Sequence, residues 1–267
     1  MGIFSSTSDK VWSGDEKFVA SVKKPQNWNT PEEQAAANKD MLLSVYETTT
    51  FGLLDKKSIK IENLRDFAWS PTEPILAFWQ AEFEQIPARV KVIEMPSKKE
   101  LRKKDLFMVA DATLYWQASG DHLAVKVERY AKKKKDKDCQ EVSYLNKTHH
   151  LEIFRIKEKD IPVETLDMKE PVMGFAWQPF GSKFCVLLGT HLRASAHFYG
   201  YIKDAFSLIS SLEPKQGLNT IQWAPQGGYA VLAVITSTMG GQMIFVDASG
   251  SDISVMNDKA EHGGCTS

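Results

Sequence analysis

The chain has 267 residues, 43% of them hydrophobic and 25% charged, with a formal net charge of −1 at pH 7. That composition supports a sizeable core and excludes a disordered segment, and its 10% aromatic content favours sheet structure. No apolar run approaches the roughly 20 residues that span a bilayer, and Met1 to Lys10 lacks the basic and apolar regions of a signal peptide, so a cytoplasmic protein with no membrane contact is expected. Cys139, Cys185 and Cys265 are odd in number, far apart and without a CxxC pair, which argues for reduced thiols and against a disulfide framework, a zinc module or another metal site. The small net charge hides an asymmetry: residues 91–137 hold thirteen Lys/Arg against seven Asp/Glu, whereas 204–267 hold two against six.

In chain order, the first element is VWSGDEKFVASV at 11–22, a Trp followed by a polar turn and an apolar run. A polar insertion occupies 24–40, with weak helical periodicity from Pro31 to Met41, before LLSVYE at 42–47. The opening phrase returns as FAWSPTEPILAF at 67–78, followed by RVKVIEM at 89–95. It returns again as LYWQASGDHLAVKV at 114–127, followed by a second insertion at 131–148, LEIFRI at 151–156 and VETLDM at 163–168. FAWQPFGSKFCVLL at 175–188 leads to AHFYGYI at 196–202 and FSLIS at 206–210, and IQWAPQGGYAVLAV at 221–234 leads to QMIFVD at 242–247.

The repeated Trp residues are Trp12, Trp69, Trp116, Trp177 and Trp223, with steps of 57, 47, 61 and 46. The two long steps contain the two insertions, so the underlying unit is about 46 residues, the period of a propeller blade. Within each unit apolar residues alternate, as in Leu123, Val125 and Val127 against Ala124 and Lys126, which is strand periodicity. Pro and Gly in the turns supply the backbone angles of a tight antiparallel connection, so each phrase predicts a hairpin. A third strand and a weaker fourth follow, and four antiparallel strands repeated radially describe an all-β, WD-repeat-type β-propeller over 1–267. One more step from Trp223 places the next Trp near position 269, so the chain reads as part of a larger propeller and, by itself, as aggregation-prone.

LLSVYETTTFGLLDKKSIKIENLRDFAWSP at 42–71 and IPARVKVIEMP at 86–96 resemble the propeller of the B subunit of eukaryotic translation initiation factor 3. So do LEIFRIKEKDIPVETLDMKEPVMGFAWQPFGSKFCVLLG at 151–189 and NTIQWAPQGGYAVLA at 219–233. The resemblance covers most of residues 42–262, and it weakens at 1–40 and in the two insertions. It implies a nine-bladed propeller, of which about five blades fall here, between an RNA-recognition-motif domain and a helical segment that docks subunits a, g and i. It further implies a cytoplasmic, non-catalytic scaffold that meets the RNA and proteins of the small ribosomal subunit. Two alternatives carry the same architecture: a monomeric 2A-type initiation factor and the accessory propeller of a hydrolase. The phrases GLLDKKSIKI and IPARV favour the factor 3 family over the 2A type, and the hydrolase reading needs a Ser-His-Asp domain that these residues do not offer.

Two basic runs are candidate contacts for RNA or an acidic partner. Lys132, Lys133, Lys134, Lys135 and Lys137 sit in the second insertion, where a projecting loop is expected, and Lys98, Lys99, Arg102, Lys103 and Lys104 form the other run. With only Tyr130 and Tyr144 nearby, the first run points to phosphate attraction rather than base reading, against the plainer alternative of a solvated loop. The five Trp residues recur just ahead of a turn, which predicts core packing rather than base stacking. Adjacent His149 and His150 point to opposite faces of a strand and do not chelate one metal together. Asn146-Lys147-Thr148 matches a glycosylation acceptor, which is set aside for a cytosolic chain. No GxSxG elbow, GxxxxGK[ST] loop or HExxH pair occurs, and Gly240-Gly241 reads as a turn, so neither catalysis nor a cofactor is expected.

Overall fold

The computed structural model describes residues 10–23, 40–83, 85–135, 142–190, 193–213, 217–234 and 241–262. Among them the chain is all-β, with twenty strands in five four-stranded sheets whose strands lie side by side in chain order. The first sheet holds β1 (Lys10–Trp12), β2 (Phe18–Lys23), β3 (Asp40–Glu47) and β4 (Ile59–Glu62), and the second holds β5 (Leu64–Trp69), β6 (Ile75–Gln80), β7 (Ala88–Glu94) and β8 (Lys99–Leu106). The third holds β9 (Val109–Trp116), β10 (His122–Lys135), β11 (Val142–Arg155) and β12 (Val163–Met168). The fourth holds β13 (Val172–Trp177), β14 (Lys183–Thr190), β15 (Arg193–Ile202) and β16 (Ala205–Leu212). The fifth holds β17 (Thr220–Trp223), β18 (Tyr229–Val234), β19 (Gly241–Asp247) and β20 (Ser254–His262). A four-stranded meander is the topology of a propeller blade, so the propeller-type fold read from the repeat is the one adopted.

The chain divides into two compact units, one of residues 1–116, 120–147 and 154–162, the other of 117–119, 148–153 and 163–267. In the first unit, Phe18, Leu43 and Val45 of the first sheet pack against Leu76 and Phe78 of β6 in one buried cluster. Ala77 and Trp79 on the opposite face of β6 are buried as well, and β9 packs against that strand. A strand covered on both faces has no solvent side, which is why ILAFWQ is a nearly continuous apolar run instead of an alternating one. In the second unit Cys185 and Leu187 of β14 share a core with Phe198, Trp223, Leu232 and Val246. Burial pushes the Cys185 thiol far above its ordinary value, leaving it inert.

The repeated Trp has a defined partner. In the first unit Trp69 Nε1 donates to the Val11 carbonyl at 3.0 Å, and Trp116 Nε1 donates to the Ala68 carbonyl at 3.2 Å. In the second, Trp223 Nε1 donates to the Ala176 carbonyl at 3.2 Å. Each indole thus reaches the residue just before the Trp of the preceding sheet, and the sequence period is also a hydrogen-bond period. The turns are linked in the opposite sense, each donating to the turn of the following sheet. Gln117 Nε2 donates to the Gln178 and Gly181 carbonyls at 2.9 and 2.8 Å, and Gln178 Nε2 donates to the Gly227 carbonyl at 2.8 Å. In the first sheet the Gly14 N–H donates to the Ser70 carbonyl, and a Cβ at Gly14 would overlap the Pro71 carbonyl carbon, so the approach requires glycine.

Several expectations need correction. Trp12 is 57% exposed and takes no part in the core, because among the described residues no sheet lies before β1 to cover it. The second insertion is not a loop at Lys132–Lys135, since β10 runs through those residues and β11 begins at Val142. Met41 lies on β3 rather than on a helix. Pro31–Lys39, with most of the first insertion, lies outside the described residues, as do Lys137, Cys139, Gly240 and Cys265.

Candidate functional site

The basic residues take their positions from strands that continue past the body of their sheets. β10 pairs with β9 from Leu123 opposite Trp116 to Arg129 opposite Val109, and there β9 begins. The next rung is a single bond from the Tyr130 N–H to the Met108 carbonyl at 2.8 Å. Beyond it β10 continues as Ala131–Lys135, beside the opening residues of β11, as a two-stranded ribbon.

A compact cluster marks the base of that ribbon. The rings of Tyr130 and Tyr144 lie 4.8 Å apart with a 41° tilt, and Lys133 Nζ stands 6.0 and 5.9 Å from their centres. The same ammonium is 2.9 Å from Glu82 Oε1, to which the Tyr130 hydroxyl donates at 3.2 Å. Glu82 comes from the β6–β7 connection, which closes on itself through paired Phe83 and Ile86 backbone bonds at 2.9 and 2.8 Å. The hydrogen bond to Glu82 raises the Lys133 ammonium above its ordinary value, against the opposing effect of burial. Burial, reinforced by the Glu82 charge, raises the Tyr130 phenol. Lys132, Lys133 and Lys134 are all exposed, but of the three it is Lys133 that pairs with Glu82. Lys147, on the facing strand, pairs with Glu128 at 3.1 Å.

The second run lies on β8, the outer strand of its sheet, at Lys99, Arg102, Lys103 and Lys104, with Lys98 in the turn before it. Much of its charge is answered locally. Lys98 pairs with Asp55 at 2.8 Å and Lys103 with Asp105 at 3.6 Å, while neighbouring Lys91 pairs with Glu100 at 2.9 Å. In the second unit His149 is buried, and His150 Nδ1 lies 2.7 Å from Asp167, with Thr148 Oγ1 3.0 Å from its Nε2. The two adjacent imidazoles therefore have separate surroundings. Among the described residues no group of three or more His, Cys, Asp or Glu is placed to hold a metal ion, and no helix is long and apolar enough to cross a membrane.

Glu82 could not be read as part of this site from the sequence, because it belongs to a different repeat. The only signal for the ring pair was the presence of Tyr130 and Tyr144 on either side of the lysine run.

The model of the family described as Eukaryotic translation initiation factor eIF2A matches residues 104–266. The chain belongs to that family. The B subunit of eukaryotic translation initiation factor 3 from Bombyx mori is 43% identical to this eIF2A-family chain over 247 residues, covering 92% of the chain and 32% of the relative. The chain spans about a third of the length of the curated relatives it matches. The resemblance to a stretch of the factor 3 B subunit is thereby borne out, and it is the match over nine-tenths of the chain that carries it. Two solved structures share the fold. A crystal structure of a eukaryotic initiation factor superposes with a TM-score of 0.59 at 18% identity, covering 96% of this chain and 66% of that one. The β-propeller domain of the Trilobed protease from Pyrococcus furiosus superposes with a TM-score of 0.50 at 11% identity, covering 94% and 69%.

Proposed function

We propose that this chain is a non-catalytic scaffold segment of translation initiation factor 3, which binds the small ribosomal subunit and sister subunits during initiation in the cytoplasm. The observation that carries this reading is the 43% identity to the B subunit of factor 3 across 92% of the chain. In this reading the ribosomal partners are RNA and proteins, the sister subunits are a, g and i, and the work done is positioning. The buried clusters between sheets and the turn glutamines are engaged in packing, whereas the basic strands and the ribbon are polar features available to partners. The family name also keeps the 2A-type factor as a second reading.

The test is sucrose-gradient sedimentation of the tagged full-length gene product from extract at low and moderate salt. Migration with small ribosomal subunits and factor 3 subunits, weakening as salt rises, is expected. Migration as a free monomer would overturn the factor 3 assignment and transfer the chain to the 2A-type reading.

A further inference from the structure

The consecutive lysines of the ribbon are not equivalent. Lys133, though itself solvent-accessible, is paired within the protein, held 2.9 Å from Glu82 and over the rings of Tyr130 and Tyr144. Lys132 and Lys134 are exposed, and among the described residues neither has a carboxylate partner. Successive side chains on a strand alternate between its faces, so residues 132 and 134 share one face and residue 133 belongs to the other. A lysine paired with Glu82, between two that have no carboxylate partner among the described residues, is an arrangement that fixes a ribbon and presents two point charges from it.

We propose that Lys132 and Lys134 contact the phosphate backbone of RNA, while Lys133, with Glu82, Tyr130 and Tyr144, is the strut that orients the ribbon and makes no contact itself. This rests on the ribosomal role proposed above and names the residues through which that role meets RNA. Lysine supplies a flexible point charge suited to phosphate, and it is depleted from the cores of protein–protein interfaces. The two tyrosine rings already face each other and the Lys133 ammonium. They are therefore occupied as stacking platforms, and the contact is with the backbone, independent of base identity.

The experiment measures binding of a fluorescent 20-nucleotide oligouridine to the full chain across a salt series, with a polyglutamate peptide as a second probe. Hydrogen exchange over residues 130–147 is recorded in parallel. Each phosphate contact on a single strand contributes about −0.7 to the slope of log K against log salt. The Lys132→Ala/Lys134→Ala double variant should therefore lose about 1.4 from the slope, with ribbon exchange unchanged. Lys133→Met and Glu82→Gln should keep the slope while exchange in the ribbon accelerates. A Lys133→Met variant that lowers the slope as an Ala at 132 does, with exchange unchanged, overturns the strut. A double variant that keeps the full slope overturns the contact while leaving the scaffold reading intact if the gradients still show ribosomal migration. Polyglutamate binding lost in the double variant, with RNA binding retained, overturns the proposal in favour of an acidic protein partner.

Discussion

Trp12 and Trp69 occupy the same place in the same phrase, yet one is 57% exposed and the other 6%. The difference lies in what stands before each sheet: Trp69 stacks on Phe18 at 6.3 Å and donates to Val11. Trp69→Ala should cost about 3–5 kcal/mol, whereas Trp12→Ala should stay within about 0.5 kcal/mol. Urea titrations of the two variants check this, and equal losses would show that the repeat position alone, rather than burial, sets the energetics. Two histidines behave differently again. Burial pushes His122 and His197 below the ordinary imidazole value. Each therefore takes up a proton more readily in the unfolded chain, so its contribution to stability is full above about pH 6.5 and is lost as pH falls from there toward the lowered folded value. His122→Gln should flatten the fall in the denaturation midpoint between about pH 6.5 and 5, and an unchanged profile would assign that fall to other groups.

At the scale of elements, the inner strands were legible because their surroundings are apolar on at least one face. LLSVYE at 42–47 lies within β3, and VETLDM, although an edge strand, keeps enough apolar alternation to be legible as β12. β8 was not legible: KELRKKDL has no apolar period, and the strand exists because it pairs with β7 from Lys99 opposite Glu94 to Leu106 opposite Ala88. The ribbon at Lys132–Lys135 failed for the same reason, since lysine is a poor strand former and tertiary pairing overrides that preference. Nor did the sequence point to Glu82, whose role depends on a neighbouring repeat. The turn-to-turn bonds were also invisible, because the residue after the Trp changes type along the chain, from Ser13 and Ser70 to Gln117 and Gln178. Gln117→Ala leaves the Gln178 and Gly181 carbonyls without the amide they now accept from. A loss of about 1–3 kcal/mol is expected in equilibrium unfolding, and a neutral result would mean that water replaces the amide.

For the whole molecule, the described sheets leave two apolar faces open, each within its own compact unit. On the first sheet, Trp12, Val19, Tyr46 and Phe51 line a concavity of about 560 Å³. On the fifth sheet, Trp223, Tyr229, Phe245 and Met256 line one of about 530 Å³. Surfaces of this kind, which in the interior of each unit are covered by the next sheet, favour association in water. The chain should therefore self-associate at roughly micromolar concentration, driven by apolar burial, which strengthens in sulfate, rather than by its lysines, whose attractions weaken with salt. Sedimentation velocity in buffer, in added chloride and in added sulfate separates the two causes. Tyr229→Lys with Phe245→Lys should shift the distribution toward monomer, because both side chains lie on strands at the open face and are 49% and 37% exposed. If association instead falls with chloride and ignores the double substitution, the contacts are ionic and the ribbon and β8 are the surfaces to examine. Enhancement by sulfate together with loss in the double variant would identify the fifth sheet's open face as a surface that requires covering by another apolar sheet face.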